Sequence, residues 1–258
     1  MRYYIVDAFT DKLFSGNPAG VCILEKDLPD ETLQKIAFEN NLAETAFLQK
    51  KDDCYTLRWF TPEFEIDLCG HATLAAAYVV LNFIEPEIDA VSFSTMSGIL
   101  SVQRENGSAY EMSLPTRKPQ RIEITKEISE ALGIVPIELY SERDLYAFVE
   151  NESMVLGYEP DYDKLRKLNK WLGIVVTALG DNSDFVSRYF CPELGLEDAV
   201  TGSSHCCLVP LWSSKLNKTV LFAKQISKRR GTLYCKMCEN EVKVSGKAVL
   251  YLQGEIKI

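Results

Sequence analysis

The run His71–Ile84 carries no charged residue and is apolar on every side when wound as a helix. Such a helix has no face for water and must be buried all round. One flat sheet cannot enclose it, so the pattern calls for strands on most of its sides. A second segment, Ser203–Trp212, has the same character, with Pro210 expected to kink or end it. Each follows a glycine: Cys69-Gly70-His71-Ala72-Thr73 leads into the first, and Thr201-Gly202-Ser203-Ser204-His205 into the second. Gly202 minus Gly70 is 132, close to half of the 258 residues. The chain's 2 histidines both lie at these starts. A glycine, a histidine and a buried helix, met twice, predict an internal duplication.

Short apolar alternations surround both segments. Strands are predicted at Arg2–Phe9, Gly20–Leu24, Thr45–Gln49, Tyr55–Phe60, Val91–Ser94, Gly98–Gln103 and Ala109–Leu114. An amphipathic helix is predicted over Pro29–Asn41. In the second half, helices are expected at Lys126–Leu132, capped by Thr125 and stopped by Gly133, and at Asp161–Leu172. Strands are expected at Gly173–Leu179, Phe185–Phe190, Thr219–Ile226, Thr232–Cys238, Glu241–Val244 and Ala248–Leu252. The fold class is α+β: two pseudo-symmetric lobes, each a barrel-like sheet wrapped around a central helix. The joint falls near Leu114–Pro119, giving lobes 1–115 and 116–258, with the last strand free to cross back to the first lobe.

A net charge of −9 argues against sequence-independent nucleic-acid binding and against an anionic membrane surface. The densest basic run, Lys224, Lys228, Arg229 and Arg230, reads equally well as a solvated strand end. No signal peptide is apparent, so a cytoplasmic location is expected. The 8 cysteines are scattered through apolar runs and read as free thiols. The lone Cys235-Lys236-Met237-Cys238 lies in a predicted strand, which sends its sulfurs to opposite faces, so no metal site is expected.

A helix start with free N–H groups is an anion site, and two facing starts could clamp a small carboxylate in a cleft between the lobes. The candidate donors are the N–H groups after Gly70 and Gly202, with hydroxyls of Thr73, Thr201, Ser203 and Ser204 nearby. Plain helix capping by Thr or Ser is the alternative. Glu44 stands among Leu42, Ala43, Ala46 and Phe47 at a helix-to-strand junction. A carboxylate in apolar company has a raised pKa and can take and return a proton near neutrality; an exposed turn glutamate is the alternative. Asp198 leads into the second helix start, where it could fix a substrate amine, orient a histidine or cap the turn.

Several stretches in order match one family. They are Asp7–Thr10 with Phe14–Val21, Asn41–Phe47, Arg58–Pro62, Cys69–Ala75, Arg188–Phe190 and Glu197–Cys206. On these the chain resembles the phenazine-biosynthesis-like (PhzF) proteins, relatives of diaminopimelate epimerase in fold. The resemblance implies two epimerase-like lobes with the site between them, no metal and no organic cofactor. In the family's best-understood member a glutamate shuttles a proton between two carbons of a small dihydroaromatic amino acid, and that residue corresponds to Glu44. The resemblance further assigns His71 and Asp198 as catalytic. Asn17, Gly70, Ala72, Thr73, Thr201, Gly202, Ser203 and Ser204 are then expected to bind a small carboxylated metabolite in a monomer or homodimer. Three departures stand out: Ala199 follows Asp198 where the family has proline, Arg230 stands where the family has glycine, and the second lobe is short.

The leading expectation is an isomerase using Glu44 as its single acid/base. A second uses Cys69 and Thr201, which precede the paired glycines, as in epimerases with a cysteine pair. Only one of the two is cysteine here, which leaves a one-sided dehydration or proton exchange. The third is a non-catalytic small-molecule-binding or interaction protein.

Overall fold

The uncharged helix of the first half is enclosed by a closed ring of strands. The computed structural model describes residues 1–51, 54–105 and 109–258. One unit comprises Met1–Ser113 with Lys243–Ile258, and the other Leu114–Val242. The first contains β1 (Arg2–Ala8), β2 (Asn17–Leu24), α1 (Asp30–Asn40), β3 (Glu44–Lys51), β4 (Cys54–Phe60) and β5 (Glu65–Ile66). Then come α2 (Gly70–Val79), prolonged by a π-helical turn over Val80–Ile84, and β6 (Ala90–Thr95), β7 (Gly98–Glu105) and β8 (Ala109–Pro115). Around the ring β1–β2 is antiparallel, β2–β3 parallel, β3–β4 antiparallel, β4–β6 parallel, and β6–β7 and β7–β8 antiparallel. The closing strand, Glu241–Glu255, pairs with both β8 and β1. Every residue from Cys69 to Leu81 is buried save Tyr78, as an apolar helix requires.

The closing strand is one element where the sequence predicts two, Glu241–Val244 and Ala248–Leu252. The gap in the pattern centres on Gly246. A Cβ there would stand 2.4 Å from the ring of Phe9, a fully buried residue with φ of 62°. The strand continues past Phe9 because Gly246 has no side chain.

The second unit repeats the plan. Its elements are β9 (Gln120–Ile122), α3 (Lys126–Leu132), β10 (Glu138–Ser141), β11 (Leu145–Phe148), α4 (Glu152–Leu156) and α5 (Tyr162–Leu165). They are followed by β12 (Ile174–Leu179), β13 (Phe185–Cys191), β14 (Leu196–Asp198), α6 (His205–Leu216), β15 (Val220–Gln225) and β16 (Gly231–Met237). Along β10, β11, β12, β13, β15 and β16 the pairings run antiparallel, parallel, antiparallel, parallel, antiparallel. That is the series of β1, β2, β3, β4, β6 and β7. Short β14 lies on β13 as short β5 lies on β4. Helix α6 packs inside through Trp212, which stacks on Phe185 and donates from Nε1 to Thr177 Oγ1.

Three expectations change here. Helix α6 does not end at Pro210 but runs to Leu216. Proline removes the N–H that would reach the Cys206 carbonyl; that carbonyl instead accepts from Arg117 N at 3.0 Å. The helix expected over Asp161–Leu172 stops after Leu165, with a 3₁₀ turn over Arg166–Leu168. The chain then turns toward β12 through Gly173, where a Cβ would overlap Tyr189 Oη at 2.1 Å. Strands β9, β10 and β11 lie where none is predicted, being too short for their period to register. Helix α3 has the expected ends: Thr125 Oγ1 accepts from Ile128 N, and Gly133 is left-handed. Among the described residues no helix is long and apolar enough to cross a membrane.

Candidate active site

In the first unit, local turn chemistry delivers Glu44. Helix α1 ends on Asn41, left-handed at φ 48°, whose N–H bonds back to Ala37. The chain reverses and Glu44 opens β3, paired in register with Ala19 of β2. Asn17 starts β2, and His71 is the second residue of α2. These elements bring four side chains together. His71 Nε2 lies 3.0 Å from Glu44 Oε2. His71 Nδ1 faces Asn17 Nδ2 at 3.1 Å and Cys69 Sγ at 3.5 Å. Asn17, Cys69 and His71 are buried, while the Glu44 side chain keeps 17% exposure. The sequence neighbours of Glu44 suggest apolar company, but its carboxylate meets an imidazole.

Burial opposes charge on His71, but the acidic groups of Cys69 and Glu44 outweigh it and push the ring well above its usual pKa. Burial, then Glu44, pushes the Cys69 thiol up. Glu44, Cys69 and His71 also form a set of metal-capable donors within 4.8 Å of one another, which residue spacing does not reveal. Their directions do not suit one ion. Cys69 stands at the Nδ1 edge of the ring and Glu44 at the Nε2 edge, and the lone pairs of those two nitrogens diverge.

Gly70 and Ala72 are buried in the first turn of α2. The Thr73 hydroxyl is engaged: it donates to the Cys69 carbonyl at 2.5 Å. It therefore serves the helix start rather than offering a free donor.

In the second unit, Asp198 ends β14 and accepts a short hydrogen bond at Oδ2 from Thr201 Oγ1. Gln225 pins the turn between them. Its Oε1 accepts from Thr201 N at 2.8 Å, and its Nε2 donates to the Asp198 carbonyl at 2.8 Å. Ser227 Oγ donates to the Ala199 carbonyl at 2.7 Å. The missing proline after Asp198 suggests a loosened turn; Gln225 and Ser227 hold it instead. Ser204 Oγ donates to the Thr201 carbonyl at 2.9 Å. Gly202 is buried, and the half-buried Ser203 accepts at Oγ from Arg143 Nη2 at 3.2 Å. Arg143 is itself forked onto Asp144, with Nε and Nη2 donating to Oδ1 and Oδ2 at 3.2 and 2.9 Å. Asp144 is 1% exposed and also accepts from Tyr189 and Tyr146.

His205 differs from His71. Its Nδ1 lies 2.9 Å from the Thr201 carbonyl, and burial pulls its pKa down to about 4. It is a neutral structural group. Its counterpart at the 132-residue offset is Thr73, not His71, so the two histidines are not a repeated pair. Gln225, Ser227, Arg143 and Asp144 are absent from the sequence-derived set. Gln225 had a signal: it continues the inward row Leu221, Ala223 of β15, where a polar residue has to be bonded.

The model of a family described as phenazine biosynthesis-like protein matches residues 6–254. A Pseudomonas aeruginosa protein described as an uncharacterized isomerase is 45% identical over 259 residues, covering 100% of this chain and 99% of its own length. A crystal structure of a phenazine biosynthesis PhzC/PhzF protein from Clostridium difficile is 56% identical, covers 100% of both chains and superimposes with a TM-score of 0.97. A probable proline racemase from Agrobacterium radiobacter shares the fold, with a TM-score of 0.67 at 11% identity over 100% of this chain and 93% of its own.

Proposed function

The chain belongs to the phenazine biosynthesis-like protein family, and from that premise we propose a cofactor-independent isomerase in which Glu44 moves a proton on a small carboxylate or amino-acid-like substrate. The observation that carries this reading is the Glu44–His71 contact of 3.0 Å. A carboxylate paired with a buried imidazole at the mouth of a helix start is equipped for general acid–base work. Glu44 takes a proton from a substrate carbon, and the electron pair stays in the substrate as enolate-like charge. The N–H groups around Gly70 and Ala72 stabilise that charge, and Glu44 returns the proton at another carbon. In the second unit Asp198 is proposed as a catalytic group and Thr201, Gly202, Ser203 and Ser204 as substrate-binding groups, with Ser204 contributing through the backbone it holds; Thr73 does the same in the first unit. The full-length relative described as an isomerase supports the reaction class.

A second reading has its own observation, the Cys69 thiol 3.5 Å from His71 Nδ1. It makes Cys69 the proton-transferring group in a one-sided epimerisation or dehydration. Deuterium uptake from heavy water separates the two, measured over a panel of small amino acids and dihydroaromatic carboxylates. The Glu44 reading expects exchange to fall about 10²–10⁴-fold in Glu44→Gln and to survive in Cys69→Ala. The reverse pattern installs Cys69. Neither exchange nor an isomerised product from any compound favours a binding protein.

A further inference from the structure

We infer that Arg143 is a specificity-determining residue whose guanidinium holds the carboxylate of the substrate. The inference rests on the proposed isomerase reading and deepens it by naming what receives the charged end of the substrate.

Arg143 lies in the short turn between β10 and β11. Its Nε and Nη2 donate to Asp144 Oδ1 and Oδ2 at 3.2 and 2.9 Å. Tyr189 and Tyr146 donate to the same two oxygens, and Asp144 is 1% exposed. The Arg143 side chain keeps 32% exposure. The ion pair therefore stands with its negative end inside and its positive end outward. The second Nη2 proton reaches Ser203 Oγ at 3.2 Å, so the end edge of the fork, Nη1 with Nη2, meets the turn that follows Gly202. Nη1 has no protein partner among the described residues. Forks that only clasp the fold differ. Arg188 grips Glu197 by the same two nitrogens and gives Nη1 to the carbonyls of Val155, Leu156 and Tyr158. Arg58 grips Glu65 likewise and gives Nη1 to Asp30. In Arg143 the end edge is left presented, fixed in direction by Asp144 and matched in shape to the two oxygens of a carboxylate.

The shared plan of the two units gives the counterpart. Strands β3 and β4 pair Thr45 with Phe60, and β12 and β13 pair Ile174 with Phe190. Each phenylalanine ends a like run, Arg58-Trp59-Phe60 and Arg188-Tyr189-Phe190, so Gly173 corresponds to Glu44. A Cβ at Gly173 would overlap Tyr189 Oη at 2.1 Å, which leaves no room for an acid there. At the 132-residue offset Ser203 corresponds to His71. Glu44 thus stands beside residue 71, and Arg143 beside residue 203. Corresponding places carry charges of opposite sign, a base in one unit and a fixed cation in the other. A base that draws a proton from a carbon near a carboxylate needs that negative charge compensated.

The test uses acetate as the probe and acetamide as its uncharged twin, at fixed ionic strength, read by nuclear magnetic resonance. Acetate is expected to shift, saturably, the Arg143 Nε–H signal and the amides of Gly202–Ser204, and acetamide to leave them in place. The Nε–H signal is identified by its loss in Arg143→Lys. In Arg143→Gln the acetate dissociation constant should rise about ten- to a hundredfold. That variant leaves Asp144 buried without its cation, so Arg143→Leu combined with Asp144→Asn, which removes both charges, is expected to lose acetate to the same degree. Acetate that leaves these signals unmoved, acetamide that moves them equally, or a double variant that binds acetate as tightly as the parent overturns the inference. The parent titration depends on no variant. Acetate binding as expected with no turnover of any compound would count against the isomerase reading alone. Turnover with an unchanged KM in Arg143→Gln would overturn the role of Arg143 alone.

Discussion

Thr73 and His205 perform the same task in the two units. Each turns its side chain back onto the carbonyl four residues earlier, Thr73 Oγ1 on Cys69 at 2.5 Å and His205 Nδ1 on Thr201 at 2.9 Å. The duplicated backbone keeps the bond while the residue type changes. The first unit spends a hydroxyl there and keeps its imidazole for Glu44.

His205 should make the protein acid-sensitive. Its pKa falls from 6.5 to about 4 on folding, so below 6.5 the unfolded chain binds a proton that the folded one refuses. Stability from this group is full above 6.5 and is lost as pH falls toward 4. The gap corresponds to about 3 kcal/mol. Urea unfolding between those limits should show His205→Thr losing less stability on acidification than the parent. Equal losses would remove His205 as the cause.

Gln225 should support the Asp198 turn. Gln225→Leu leaves the Thr201 N–H and the Asp198 carbonyl without this partner. Each buried orphan costs about 1–3 kcal/mol. Denaturant midpoints should fall accordingly, and any activity that needs Asp198 should fall with them. A variant as stable as the parent would show that water replaces the amide.

The backbone of Arg117, rather than its side chain, should matter to α6. Its side chain forms a partly exposed pair with Glu142 at 2.9 Å, worth about 0–1 kcal/mol. Its N–H serves the Cys206 carbonyl that Pro210 cannot reach. Arg117→Ala should therefore be mild. Arg117→Pro should cost about 1–3 kcal/mol more, measured as the difference between the two unfolding free energies.

Arg230 holds a left-handed φ of 59°, where an L side chain is strained by about 1–2 kcal/mol. Part of that is offset in the unfolded chain, which glycine makes more flexible. Arg230→Gly should raise stability by up to about 1 kcal/mol with no change in fold, as a rise in melting temperature would show. A fall would mean that the Arg230 side chain contributes contacts outweighing the strain.

Much of this architecture was legible because burial and periodicity act locally. The uncharged run His71–Ile84 announced an enclosed helix, and Thr125 and Gly133 marked both ends of α3. The positive φ of Arg230 fits the position at which the family resemblance places glycine. Other features depended on partners remote in sequence. Nothing near Pro210 announces Arg117 as donor to Cys206, and the break at Gly246 looks like a strand end until Phe9 is known to lie against it. The Glu44–His71 pair joins residues 27 positions apart, and its approach depends on ring orientation, which residue order does not encode. The repeated glycine starts mark a plan that both units share, but the two histidines suggest an equivalence that the 132-residue offset denies.

The ring around α2 has a temporal consequence. Its closing strand pairs Leu250 with Val6 and Gly254 with Tyr3, yet those pairing residues are translated after the second unit ends at Val242. During synthesis the first unit must wait on the ribosome with β1 and β8 unsealed, while the later unit can complete its own sheet from contiguous chain. Sequence separations this long slow folding and leave open strand edges vulnerable to mispairing. The half carrying Glu44 is made first, yet its ring cannot close until the strand through Gly254 has been made.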